Sequence, residues 1–110
     1  LCPWDVFSVS SASGETAQLV ARAKKAGQFC GAVAVLTTNR HATITEFVDV
    51  IVQINAPSKN QKDSVFRSAQ PMASLYEQAL LVIADALVMK MAAESGAPES
   101  ELFKRHANLE

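Results

Sequence analysis

The chain has 110 residues, 49% of them apolar, and a net charge of −1 with acids and bases interspersed. That length fits one small domain with a real but limited core. The charge balance gives no reason to expect nucleic-acid or anionic-membrane binding, and leaves open a local site for a small anion.

Asp5–Ser10 (DVFSVS) has strand character without a helical stripe. Ser11-Ala12-Ser13-Gly14 follows, and from Glu15 to Ala26 the pattern is helical. Leu19, Val20 and Ala23 share one face; Gln18, Arg22 and Lys25 share the other. Gly27 is expected to stop this helix. Gly31–Thr38 (GAVAVLTT) reads as a buried strand, Thr43–Val48 as a short amphipathic turn or helix, and Val50–Ile54 as another apolar strand. Asn55–Ser68 carries Pro57 and several basic residues with no periodicity, so it reads as a loop. A long helix is predicted from about Met72 to Ser95, with Leu80, Ile83, Leu87 and Met91 as its apolar stripe. Gly96 should stop it, and Pro98 opens a last short helix from Glu99 to about Asn108.

This alternation predicts an α/β fold, a parallel sheet flanked by helices and joined by right-handed crossovers. Continuously apolar strands fit a sheet covered on both faces. Three strands make a narrow sheet, and an open strand edge invites pairing. With a first residue that is Leu1 and a strand almost at once, the expectation is a fragment lacking N-terminal elements. The longest apolar stretch, Ala79–Met89, is about half as long as the ~20 residues that span a bilayer, and Asp85 interrupts it. No signal peptide is visible. Cys2 and Cys30 are too few for a disulfide framework and lack metal spacing. Cys30 reads as a buried thiol in a reducing cytosol.

The chemistry-bearing candidate is Ser11-Ala12-Ser13-Gly14-Glu15-Thr16, which follows a strand and opens a helix. Helix N-termini present unpaired N–H groups and a positive dipole end, which suits a phosphate. Ser11, Ser13 and Thr16 can add hydroxyl donors, and the position lies beyond the carboxyl end of a strand, where open α/β sheets bind ligands. Neither a P-loop lysine nor GxGxxG is present, which disfavours nucleotides. Locally the pattern also reads as a serine-rich turn with Ser13 as an ordinary N-cap. Glu15 would repel a phosphate, so its side chain should point away; it also reads as a simple partner for the helix dipole.

Glu77 lies in the first turns of the long helix, near Leu75, Leu80 and Leu81. Partial desolvation there would raise its pKa toward values useful for proton transfer; the bland alternative is an exposed acid near a helix N-terminus. Asp85 reads as a buried structural acid or an interface residue. His106 titrates near neutrality and could move protons, and Lys104 and Arg105 could hold an anion, while a solvated basic terminus explains all three. His41 has no assigned role.

Taken together, Ser11–Thr16, Gln70–Leu80 (QPMASLYEQAL) and Phe103–Glu110 (FKRHANLE) resemble the 6-phospho-3-hexuloisomerases of the sugar-isomerase (SIS) domain superfamily. The resemblance covers nearly the whole chain. It implies a flavodoxin-like, Rossmann-like SIS domain with a five-stranded parallel sheet, of which this chain would supply the last three strands and the closing helices. It implies reversible conversion of D-arabino-hex-3-ulose 6-phosphate and fructose 6-phosphate through a cis-enediol, with no metal or organic cofactor. Ser11, Ser13 and Thr16 would anchor the phosphate and Glu77 would be the base. His106 would assist ring opening or hydroxyl proton transfer, in a neighbouring subunit's site. A cytoplasmic homotetramer, packed through the long and final helices, is implied as well.

The sequence departs from the family pattern at three positions. Ala12 and Ala73 stand where glycines are usual, and Tyr76 where phenylalanine is usual. If position 12 needed a positive φ, alanine would cost roughly 1 kcal/mol or more. Tyr76 would add a hydroxyl near the base. Two other readings stay open: a non-catalytic sugar-phosphate-binding module, and an inactive truncated product. Glu77 together with His106 favours the isomerase, because a sensor needs no proton-transfer base.

Overall fold

The computed structural model describes residues 1–59, 65–96 and 98–104. It divides into two units, Leu1–Leu80 and Leu81–Glu110.

In the first unit, β-branched residues build three strands, β1 (Val6–Ser10), β2 (Ala32–Thr37) and β3 (Val50–Gln53), which pair in parallel in the order β1-β2-β3. Helix α1 (Ala17–Ala26) makes the first crossover, and a 3₁₀ turn, Thr43–Phe47, lies in the second. The register sets Val9 beside Val35 and Val35 beside Ile51. Phe7, Val9, Val33, Val35 and Ile51 therefore share one face, where they pack with Leu19, Val20, Ala23 and Ala26 of α1 and with Ile44 of the 3₁₀ turn.

The opposite face differs from the expected double cover. Its residues are Val6, Ser8, Ser10, Ala32, Ala34, Leu36, Val50 and Val52. Val6 is 65% exposed and Val50 49%. Burial in β2 accordingly alternates, with Val33, Val35 and Thr37 buried and Ala32, Ala34 and Leu36 half-buried. An apolar run alone cannot reveal this, because small and β-branched residues occupy either kind of face.

Helix boundaries also moved. α1 begins at Ala17 rather than Glu15, because Gly14 takes φ +70 and the loop closes on itself before the helix starts. Its N-cap residue is Thr16, not Ser13. Gly27 keeps a right-handed φ of −58, so α1 ends without a left-handed glycine. The next helix, α2 (Ser74–Ser95), starts two residues after Met72, which takes φ 54.

The second unit holds the rest of α2 and α3 (Glu99–Lys104). Gly96, at φ +64, does terminate α2 in the left-handed way. The expected stripe is absent. Ile83 is half-buried, but Leu87 and Met91 are exposed, as are Leu81, Val82, Val88 and Met89 around them. Asp85 is exposed, which rules out the buried structural acid of the two readings. Lys90 and Glu94 approach to 3.9 Å on the surface, a pair of little energetic weight. No described helix is long and apolar enough to cross a membrane.

Candidate active site

The loop between β1 and α1 is shaped by hydrogen bonds from its neighbours. Ser11 N–H donates to Leu36 O at 3.0 Å, which extends the β1–β2 ladder by one step. The Ala12 carbonyl then accepts from Thr38 N–H at 3.1 Å, the Thr38 hydroxyl at 2.7 Å and the Thr37 hydroxyl at 3.2 Å. Gly14 O accepts from Ile44 N–H at 3.1 Å. The loop backbone is therefore held from one side by the carboxyl end of β2 and by the 3₁₀ turn.

Within the loop, the buried Ser11 hydroxyl accepts Gly14 N–H at 3.1 Å, and the exposed Ser13 hydroxyl accepts Glu15 N–H at 3.2 Å. Both hydroxyls keep a proton to donate. Thr16 makes no side-chain cap bond, so its hydroxyl at the head of α1 is uncommitted. The first turn of a helix leaves its N–H groups without intrahelical partners. Together these groups make a cradle of donors at the positive end of the helix dipole.

Glu15 does point away. Its carboxylate accepts Thr43 N–H at 2.9 Å and the Thr43 hydroxyl at 2.6 Å. Those bonds, the hydroxyl's first, hold its carboxyl below the usual range. Ala12 carries no strain either: among described non-glycine residues, Met72 is the one with positive φ. The condition for a backbone penalty at position 12 is not met, because the left-handed step of this loop falls on Gly14.

A cleft of about 470 Å³ is lined by Ser11, Ala12, Ser13, Thr16, Leu19, Ser58, Lys59, Ala73, Tyr76 and Glu77. The structure thus brings Ser11, Ser13, Thr16 and Glu77 to one cavity at the carboxyl end of the sheet. Glu77 is exposed there, as the bland alternative for this acid has it. His106 lies outside the described residues. A neighbouring cleft of about 440 Å³ shares Ser13 and Ser58 and adds Arg40, His41, Asn39 and Gln53 among its walls. Among the described residues, no three His, Cys, Asp or Glu side chains gather as a metal site would need.

Two cleft residues escaped the sequence. Ser58 and Lys59 sit in the loop after β3, which folds back because Ile54, Ala56 and Pro57 are buried; the apolar spacing before Lys59 was the available signal. Tyr76, only 4% exposed, donates its hydroxyl to Leu36 O at 2.8 Å rather than serving Glu77 directly.

No family model matches the chain. A 3-hexulose-6-phosphate isomerase of Bacillus subtilis is 37% identical over 110 residues, covering 100% of this chain and 60% of that protein. One of Mycobacterium gastri is 34% identical over 106 residues, covering 96% of this chain and 53% of its own length. The chain therefore spans little more than half the length of these curated relatives. Among solved structures, a hypothetical protein aligns with TM-score 0.77 at 27% identity, covering 99% of this chain and 58% of its own. A Methanococcus jannaschii protein aligns with TM-score 0.75 at 23% identity, over 100% of this chain and 57% of its own. These likenesses establish the fold as parallel α/β.

Proposed function

We propose that this chain, a homologue of the 3-hexulose-6-phosphate isomerases along its whole length, carries the phosphate anchor and the base of a sugar-phosphate isomerase. The observation that carries this reading is the single cleft lined by Ser11, Ser13, Thr16 and Glu77. The reaction is the interconversion of D-arabino-hex-3-ulose 6-phosphate and fructose 6-phosphate, on an SIS-type domain.

Moving the carbonyl from C3 to C2 requires loss of the C2 proton and return of one at C3. Glu77 takes the first and delivers the second, through a cis-enediol, while the two oxygens exchange the hydroxyl proton. Ser13 and Thr16 donate to the phosphate, with Ser11 and the N–H groups of the helix head behind them. Lys59, on the wall of the cleft, balances the phosphate's charge. Holding the phosphate fixes the carbon chain against the carboxylate, so binding energy remote from C2 serves the proton transfer. His106 assists ring opening or hydroxyl proton transfer. The exposed apolar residues of α2 beyond Leu80 (Leu81, Val82, Leu87, Val88, Met89 and Met91) support burial between copies of the chain, as a homotetramer. The free thiols Cys2 and Cys30 fit a reducing cytoplasm.

The test is deuterium exchange. The chain, alone and extended at its N-terminus to the length of its relatives, is incubated with fructose 6-phosphate in heavy water. Incorporation at C3 of fructose 6-phosphate is expected, since its C2 is the carbonyl carbon, and Glu77→Gln should lower it at least about 100-fold. Binding without exchange would identify a non-catalytic sugar-phosphate module, and no binding by either version would reject both.

A further inference from the structure

The Leu36 carbonyl, one residue from the end of β2, accepts two hydrogen bonds. One comes from Ser11 N–H at 3.0 Å, at the start of the phosphate loop. The other comes from the Tyr76 hydroxyl at 2.8 Å, one residue before Glu77. A carbonyl has two lone pairs, so a single oxygen ties the anchor loop and the base-bearing turn together. We propose that the Tyr76 hydroxyl is a positioning group that fixes Glu77 relative to the bound phosphate through the Leu36 carbonyl. This rests on the reading of Glu77 as the base and Ser11–Thr16 as the anchor.

The geometry suits that task. Tyr76 is nearly fully buried while Glu77 beside it is exposed, so the tyrosine is fixed and its neighbour faces the cleft. Burial pushes the phenol's pKa up, against the Ser10 hydroxyl and Ser11 N–H, which pull it down. The group therefore stays a protonated donor through the neutral range. The same segment is braced along the chain. The side-chain amides of Gln70 and Gln78 exchange two hydrogen bonds, at 3.3 and 2.9 Å, and the Ser74 hydroxyl donates to Pro71 O at 2.8 Å. Those contacts stiffen the first turn of α2, whereas Tyr76 locks that turn to the sheet. The left-handed Met72 lies two residues before this turn. Phenylalanine, usual here in the family that the sequence resembles, would fill the ring's space without making the link.

Tyr76→Phe tests the proposal in two measurements. In the exchange reaction at C3 of fructose 6-phosphate, kcat is expected to fall about tenfold while KM stays within about twofold, since a displaced base slows the chemical step and leaves phosphate binding intact. In a titration with inorganic phosphate followed by backbone-amide NMR, the native chain should shift both Ser11 and Glu77. In the variant Ser11 should respond with the same midpoint and Glu77 should lose its response. An unchanged kcat, or an equal loss in kcat and phosphate affinity, overturns the positioning role. A Glu77 response that survives in the variant, or that is absent from the native chain, overturns it too. If the native protein exchanges no deuterium, the isomerase reading fails and the phosphate titration alone decides the coupling.

Discussion

Gly14→Ala perturbs the site at its most constrained backbone position. Gly14 is buried and takes φ +70, a region where an L side chain costs roughly 1–2 kcal/mol. A Cβ built there would also collide with the Ala42 methyl, and would approach Ile44 Cγ2 to 3.1 Å and Thr37 Oγ1 to 3.3 Å. Ala42, Ile44 and Thr37 are themselves fully buried, so they can yield little, and such overpacking costs about 1–3 kcal/mol. The stiffer unfolded chain returns about 0.4–1 kcal/mol. The net loss is about 2–4 kcal/mol, a large share of the ~5–15 kcal/mol that holds a domain together. Urea denaturation followed by circular dichroism should show the midpoint falling with the slope unchanged. Phosphate affinity should fall as well, because Gly14 N–H and O both shape the cradle. A variant within about 0.5 kcal/mol of the native chain would refute this reasoning; it would mean that the loop relaxes away from its left-handed step without loss.

Two further outcomes are expected. Glu15 has its carboxyl pKa lowered from an ordinary value of 4.5 by the Thr43 hydroxyl and N–H. A depressed acid stabilises the fold above its unfolded pKa, and that contribution disappears as pH falls through the folded value. The melting temperature of Glu15→Gln should therefore lie below that of the native chain at pH 7, and the gap should close as pH drops below about 4.5; a gap constant from pH 7 to pH 3 would contradict it. In the proposed homotetramer Val88, 64% exposed on α2, carries a subunit contact, so Val88→Lys should reduce the mass seen by sedimentation while leaving helical content unchanged. An unaltered mass would remove α2 from the interface.

Much of the fold was legible. Valine-rich segments gave all three strands, and the glycine at 96 marked the end of α2 because its left-handed φ is a strictly local property. The clustering of Ser11, Ser13 and Thr16 was readable for a similar reason: a strand, a small-residue turn and a helix fix that geometry over a few residues. Failures came where distant contacts decide. Whether Glu77 is desolvated depends on what covers α2, and in this chain it faces solvent. Burial of Ala32, Ala34 and Leu36 depends on the second face of the sheet, which their identities do not disclose. Ala12 was assessed by analogy with glycine, yet the positive φ belongs to Gly14, and only the backbone could say so. The loop after β3 lacked periodicity, and that hid the return of Ser58 and Lys59 to the cleft.

The consecutive strand order has a kinetic meaning. Val6 pairs with Ala32, a separation of 26 residues (32 − 6), and Ala34 with Val50, a separation of 16 (50 − 34). Both closures are short for parallel pairing, where the entropy of closing a loop must be met before contacts reward it. The Ser11–Thr16 loop is braced by Thr37, Thr38 and Ile44, all within the stretch through Ile44. Glu77 arrives on a helix that begins beyond that stretch, at Ser74. During synthesis the loop of the proposed anion site can thus be shaped before Glu77 has left the ribosome, and a folding transition state built on β1, α1 and β2 would already contain that loop.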